Sequence, residues 1–80
     1  MPIAYILINA EVGHENDVLD AVENIEGVLD VTVVYGIYDV VVRAEQPSLP
    51  ELKSLILTKV RKLPYVKSTI TLVSIEGSLG

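Results

Sequence analysis

The spacing of apolar residues along the chain switches between two patterns. Four segments are dense in β-branched and other apolar residues and have the continuous or alternating character of strands. Two segments carry apolar residues three and four positions apart, which is the spacing of one face of an amphipathic helix. The predicted order is therefore strand, helix, strand, strand, helix, strand. The predicted strands cover residues 3–11, 28–34, 40–44 and 66–75, and the predicted helices cover residues 14–26 and 48–63.

Residues that start and stop helices stand at the ends of both helical segments. Ser48 is typical of an N-cap, Glu51 completes a capping box three residues later, and Pro50 fits the first helical turn. Pro64 prevents the second helix from continuing. Gly27 is expected to end the first helix, as a C′ residue in the left-handed conformation.

The first predicted strand is apolar on both of its faces. Alternate residues of a strand point to opposite faces, and here both sets are mainly apolar. Such a strand is covered on both faces, and helices from the same chain can cover only one of them. One face carries Ile3, Tyr5 and Leu7, and the other carries Ala4, Ile6, Ile8 and Ala10.

The order of the six elements is that of the split βαβ, or ferredoxin-like, arrangement. We therefore expect an α+β fold in which a four-stranded antiparallel sheet carries two helices on one face. The opposite face would hold too many Val, Ile and Leu residues to stay in water, because large apolar patches usually mark interfaces. The sequence therefore predicts at least a dimer, with sheet packed against sheet.

Composition limits the class of protein. The 80 residues predict a single domain, residues 1–80, and half of them are apolar, with no cysteine to form a disulfide. The apolar runs are too short for a membrane helix and the N-terminus lacks the basic start of a signal peptide, so we expect a soluble cytoplasmic protein. The net charge of −5 argues against direct nucleic-acid binding, and the one basic cluster fits a helix C-terminus better than a phosphate groove.

The segment between the two middle strands holds the most distinctive polar chemistry, in Gly36, Tyr38 and Asp39. Aspartate is uncommon in strands, and a buried carboxylate is costly unless it is paired. Asp39 could hold the amine of a small ligand, or it could only accept hydrogen bonds from the turn beside it. The residues alone leave both interpretations open.

Two threonines of the last predicted strand are candidate donors. Thr69 and Thr71 are two positions apart and therefore share one face of the strand. A free amino acid needs an acidic group for its ammonium and hydroxyl or backbone N–H donors for its carboxylate. Asp39 together with these threonines would supply both, although threonine is also an ordinary strand former.

The chain shows no residue pattern that predicts catalysis or metal binding. His14 is the only histidine, and together with nearby acids such as Glu15 and Asp17 it matches neither a structural nor a catalytic zinc site. Ser48 has no base placed to activate it as a nucleophile. We therefore expect no catalytic residue, no metal ligand and no cofactor.

Several short motifs of the chain resemble one protein family. Gly36-Ile37-Tyr38-Asp39, followed by valines, resembles the Gly-x-Tyr-Asp signature of the Lrp/AsnC family, in its effector-sensing RAM module (regulation of amino acid metabolism). Val66-x-x-Thr69-x-Thr71 resembles that module's last strand. The opening Ala4-Tyr5-Ile6-Leu7-Ile8 and the segment Ile25-x-Gly27-Val28 are similar to its first strand and its helix-to-strand turn. The resemblance extends over essentially the whole chain.

The resemblance implies an assembly and a ligand. Modules of this kind form dimers through their sheets, the dimers form rings, commonly octamers or decamers, and small effectors, usually amino acids, bind between dimers. Gly36, Tyr38 and Asp39 would lie at that cleft, where Asp39 would meet the amine. Thr69 and Thr71 would lie opposite, from a neighbouring chain. Their hydroxyls and backbone groups near Gly36 would meet the carboxylate.

The resemblance also leaves three functions open. Regulators of the family carry an N-terminal helix-turn-helix that reads DNA, but the first predicted strand begins at Ile3, so we expect no such domain and no direct DNA binding. The chain would then be an amino-acid-sensing regulatory module that acts alone or with full-length Lrp/AsnC-type regulators. The alternatives are a ligand-independent assembly partner of such regulators and a small ferredoxin-like dimeric enzyme.

Overall fold

The computed structural model describes residues 1–74, and all six predicted elements are present in the predicted order. The last residue of the predicted final strand, Ile75, lies outside the described residues. The elements are β1 (Ile3–Ala10), α1 (Glu15–Glu23), β2 (Val28–Val33), β3 (Val40–Glu45), α2 (Leu49–Leu55), which continues as a π-helical turn (Ile56–Val60), and β4 (Val66–Ser74).

The four strands form one antiparallel sheet in the order β2-β3-β1-β4. β1 lies in the middle, where Ile8 is opposite Val40 of β3 on one side and Thr69 of β4 on the other. This is the ferredoxin-like α+β fold that the sequence predicts.

The hydrophobic core lies between the sheet and the two helices. One set of alternating residues in β1 and β3 is buried there, and α1 and α2 contribute the side chains that cover it. Both helices therefore lie on the same face of the sheet, as predicted. The buried residues are Ala4, Ile6, Ile8, Ala10, Val18, Val22, Val40, Val42, Ala44, Leu52, Leu55, Ile56 and Val60.

The other face of the sheet is open and partly apolar. Tyr5, Ile70 and Leu72 retain 40%, 45% and 54% of their accessible surface there. The polar part of this face lies over β2 and β3, where Arg43 donates hydrogen bonds of 3.0 and 2.6 Å to Asp30 Oδ2. These hydrogen bonds and the charge of Asp30 raise the pKa of Arg43 above its ordinary value. The apolar part, over β1 and β4, is the surface for which the sequence predicts a second copy.

The first helix ends earlier than predicted. It stops at Glu23, and the Asn24 side chain donates a hydrogen bond of 2.8 Å to the backbone carbonyl of Asp20. Gly27 does adopt a left-handed conformation, with φ +101°, but it belongs to the turn that leads into β2 and is not the C′ residue of the helix. The prediction of its conformation is therefore right, and the prediction of its role is wrong.

The second helix begins as predicted and then departs from α-helical geometry. Ser48 is the N-cap, and its hydroxyl accepts a hydrogen bond of 3.3 Å from the backbone N–H of Glu51. After Leu55 the helix widens into the π-helical turn, in which the backbone N–H of Arg61 donates to the carbonyl of Ile56 over 2.9 Å. Apolar periodicity does not distinguish this wide turn from an ordinary helix. Across residues 1–74, neither helix has the length and apolar character needed to cross a membrane.

Candidate functional site

Asp39 lies directly before β3 and ties the end of that strand to β1. Its Oδ2 accepts a hydrogen bond of 3.0 Å from the backbone N–H of Ala10, and its own N–H donates to the carbonyl of Ile8 over 2.9 Å. Its carbonyl accepts a hydrogen bond of 2.8 Å from Val34 across the hairpin. The carboxylate therefore has a structural role through one oxygen. The second oxygen, Oδ1, forms no hydrogen bond within residues 1–74.

The connection between β2 and β3 projects away from the body of the chain. Tyr35 and Ile37 are exposed at its tip, while Tyr38 is half-buried beside Asp39. Gly36 lies between the two exposed residues, its φ is outside the left-handed region, and a Cβ built on it would meet no atom within 4 Å. Neither backbone conformation nor space within this chain requires a glycine at this position.

Thr69 and Thr71 lie on the helix-covered face of the edge strand β4. They stand opposite Ile8 and Ile6, whose side chains are buried in the core, and both threonines are partly buried. β4 and α2 leave a groove between them with a volume of about 490 Å³. The groove is lined by Leu49, Leu52, Lys53, Ile56, Leu57, Arg61, Thr69, Thr71 and Val73.

The structure divides the predicted site residues into two groups. Thr69 and Thr71 share the groove, whereas Gly36, Tyr38 and Asp39 are absent from its lining. β1 separates the two groups, because Thr69 and the start of β3 lie on opposite sides of Ile8, roughly 10 Å apart at two strand spacings. One chain therefore presents an acidic group at one place and a hydroxyl-lined groove at another.

The two charged residues of the groove are not among the predicted site residues. Lys53 and Arg61 bring two positive charges to the same lining as the threonines. In the sequence, Arg61 is explained by its favourable position near a helix C-terminus, and that explanation gives no reason to place it in a site. No sequence signal singles out Arg61, because Lys59 and Lys62 also lack an acid three or four residues before them.

His14 has a structural environment of its own. Its Nδ1 lies 2.8 Å from Asp17 Oδ2, and its ring stacks on Tyr65 with centroids 3.8 Å apart and planes within 4°. Tyr65 has φ +72°, a left-handed conformation that is uncommon outside glycine. The described part of the chain contains no group of three or more His, Cys, Asp or Glu residues suited to hold a metal ion.

A comparison with protein families decides what this fold and these residues belong to. The family model of the Lrp/AsnC ligand binding domain matches residues 3–78. The chain belongs to this family. Lrp/AsnC ligand-binding domains are regulatory parts of transcription regulators, and membership implies small-molecule binding and oligomerisation. No curated protein matches the chain.

Solved structures of similar length share the Lrp/AsnC fold of this chain. The hypothetical protein PHS023 from Pyrococcus horikoshii is 34% identical, with a TM-score of 0.90, and the match covers 96% of this chain and 93% of that one. The protein FFRP-DM1 is 35% identical, with a TM-score of 0.90, and the match covers 94% of this chain and all of that one.

A longer regulator shares the same fold over about half of its length. The transcriptional regulator NMB0573 from Neisseria meningitidis, solved as a complex with L-Met, is 14% identical, with a TM-score of 0.83. The match covers 94% of this chain and 50% of the regulator.

The hydrogen bond between Asp39 and the Ala10 N–H predicts that two substitutions at position 39 differ in their effect on the stability of the fold. Asp39→Ala removes the acceptor for the Ala10 N–H and should lower the free energy of unfolding by about 1–2 kcal/mol, because a partly buried donor loses its partner. Asp39→Asn keeps a carbonyl oxygen for the same N–H and should cost less than half as much. Urea denaturation at one protein concentration measures both. Equal losses for the two variants would show that the hydrogen bond to Ala10 does not stabilise the fold.

Proposed function

We propose that the chain is a non-enzymatic regulatory module that binds an amino acid in a site formed between chains of a homo-oligomer. The observation that carries the proposal is the separation of the two candidate groups by β1. An acidic group for an ammonium and hydroxyl donors for a carboxylate are both present, but one chain does not bring them together. A neighbouring copy that places its hairpin against the groove would complete the site.

The chemistry of each group suits one end of an amino acid. Asp39 has one carboxylate oxygen engaged by Ala10, and the other can accept a hydrogen bond from an ammonium. Thr69 and Thr71 offer hydroxyl donors, and the positive charges of the groove favour a carboxylate. The L-Met complex of NMB0573 supports an amino acid as ligand, because that regulator shares this fold.

Gly36 supports a close approach by a second chain. The chain itself leaves open space around this glycine and does not force a left-handed conformation on it. A glycine is useful where another backbone or a ligand comes close, because it has no Cβ to collide with either. The exposed Tyr35 and Ile37 on either side of it would supply apolar surface for the same contact.

The dimer would form through the open face of the sheet. Ile70 and Leu72 of β4 and Tyr5 of β1 form a half-exposed apolar surface there, and burying each side chain would contribute roughly 1–2 kcal/mol. Dimers that meet through their hairpins and grooves would then assemble into a closed ring, an octamer or a decamer. We place this assembly in the cytoplasm.

Co-assembly with full-length Lrp/AsnC-type regulators is the second candidate function. The chain matches half of NMB0573, so a copy of the chain could take the place of that half in a mixed ring. Such a ring would hold fewer DNA-binding domains than a ring of full-length regulators alone. This function needs no ligand, and a pull-down with a regulator from the same cell would detect it.

The first prediction from this proposal concerns ligand binding. Isothermal titration calorimetry over the twenty amino acids should find at least one ligand for the assembled protein. Asp39→Asn should weaken that ligand at least tenfold, because it removes the charge that meets the ammonium but keeps the acceptor for Ala10. Asp20→Asn removes an exposed charge from α1 and should leave binding unchanged. An assembled wild-type protein that binds none of the twenty would contradict the sensor function.

The second prediction concerns assembly. Leu72→Glu places a charge in the middle of the apolar part of the open face and should convert the protein to monomers at micromolar concentration, because burying an unpaired carboxylate is costly. Val12→Glu introduces the same charge on the exposed turn after β1 and should keep the dimer. Sedimentation velocity distinguishes the states. The proposed sheet-to-sheet dimer would be excluded if Leu72→Glu sedimented like the wild type.

A further inference from the structure

The two helices carry exposed charges of opposite sign. The chain has no lysine or arginine before Arg43, so α1 and the turn after it hold acids only. α2 and the turn after it are basic except for Glu51, whose carboxylate accepts a hydrogen bond of 3.1 Å from the N-cap hydroxyl. The exposed acids on the first helix and its turn are Asp20, Glu23 and Glu26, with Asp17 at its start, and the exposed bases from α2 to the start of β4 are Lys53, Lys59, Arg61, Lys62 and Lys67.

These charges do not neutralise one another within the chain. The ion pairs among residues 1–74 lie at the start of α1 and between β2 and β3, so none of them connects the two helices. α1 packs over β2 and β3, whereas α2 lies beside β4, and a polar groove separates the helices. Glu26 and Lys59 line this groove without forming an ion pair. The helical face, which is the exposed surface of α1 and α2, therefore has an acidic stripe beside a basic stripe.

Helix stability explains the basic stripe better than it explains the acidic one. Bases near the C-terminus of α2 are favoured by the negative end of the helix dipole. Glu23 is the last residue of α1 and Glu26 follows it closely, at the end of a helix where a negative charge is unfavourable. The last turn of α1 contains no base. The acidic stripe therefore extends to a place where it opposes the stability of its own helix, which favours a role outside the chain.

The charge pattern selects one way in which two copies can bring their helical faces together. Identical copies that use the same surface in a closed pair are related by a two-fold axis. An axis perpendicular to the helices would place α1 on α1 and α2 on α2, so that like charges would repel. An axis parallel to the helices would place α1 of each copy on α2 of the other, so that both stripes would meet charges of the opposite sign.

We infer that two copies of the chain associate through their helical faces, with the acidic stripe of each copy on the basic stripe of the other. The contact is separate from the open face of the sheet and needs no ligand, so it joins one sheet-to-sheet dimer to another. Because its charges are exposed to water, the contact is weak and depends on salt. The complementary stripes determine which surfaces meet and how fast they meet more than how tightly they bind.

Sedimentation velocity at about 0.01 M and about 1 M NaCl tests this inference, because the screening length falls from about 30 to about 3 Å between these concentrations. The wild type should form a larger species at low salt, and its association constant should fall at least tenfold at high salt. Glu23→Lys with Glu26→Lys makes both stripes basic, and Lys59→Glu with Lys62→Glu makes both acidic. Each double variant should lose the larger species.

A variant with all four substitutions separates complementarity from net charge. It keeps the net charge of −5 and exchanges the signs of the two stripes, so it should associate like the wild type. Glu23→Lys with Glu26→Lys makes the chain less negative. General repulsion between acidic chains therefore predicts stronger association for this double variant, whereas the helical contact predicts a loss.

Three results would each overturn the inference. The wild type could sediment identically at both salt concentrations, the Glu23→Lys/Glu26→Lys variant could associate as strongly as the wild type, or the fourfold variant could stay dissociated. Thermal unfolding of each variant checks that the fold is intact. The sheet-to-sheet dimer depends on apolar burial and should persist at high salt, so its failure is distinguishable from failure of the helical contact.

Discussion

The position of β1 in the middle of the sheet is the constraint on which the rest of the structure depends. Its alternate residues are apolar on both faces, and the two helices lie on one face only. Ala4, Ile6 and Ile8 are fully buried under the helices, whereas Tyr5 on the other face keeps 40% of its accessible surface. Within residues 1–74 no further helix or strand covers that side. Burying this uncovered apolar face would therefore stabilise association with another chain.

The same strand separates the candidate binding groups. Asp39 is tied to the end of β1 through Ala10, and Thr69 pairs with β1 on its other side through Ile8. A site that uses both an acid and hydroxyls must therefore be made by two chains. Ligand binding and assembly would then be coupled, because a ligand that bridges two chains favours the state in which they are together.

Much of this architecture can be predicted from the sequence, because local signals agree with one another. The apolar run of β1, the N-cap at Ser48 and the spacing of buried residues in α2 each predict what the structure has. The early end of α1 is less predictable. The Asn24 side chain donates a hydrogen bond to the backbone carbonyl of Asp20, and the spacing of apolar residues gives no sign of this contact. The π-helical turn is also hidden, since its buried residues keep helical spacing.

The candidate site is only partly predictable, for a different reason. Asp39 stands out because it is an acid directly beside a run of strand-forming valines, but its hydrogen bond to Ala10 depends on how β1 and β3 meet. Lys53 and Arg61 are ordinary helix residues in the sequence, and only the packing of α2 against β4 places them in the groove with the threonines. The site that we propose between chains would leave its signal in residues that a single chain does not need, such as Gly36.

Subunit complementation tests the central claim most directly. One variant carries Asp39→Asn, and another carries both Thr69→Val and Thr71→Val, so that each lacks one half of the proposed site. If two chains form each site, unfolding and refolding the two inactive variants together in equal amounts should restore amino-acid binding in about a quarter of the sites, by random assortment of subunits in a symmetric oligomer. If one chain forms the whole site, no mixed assembly can contain an intact site. The absence of any recovered binding in verified mixed oligomers would contradict the account.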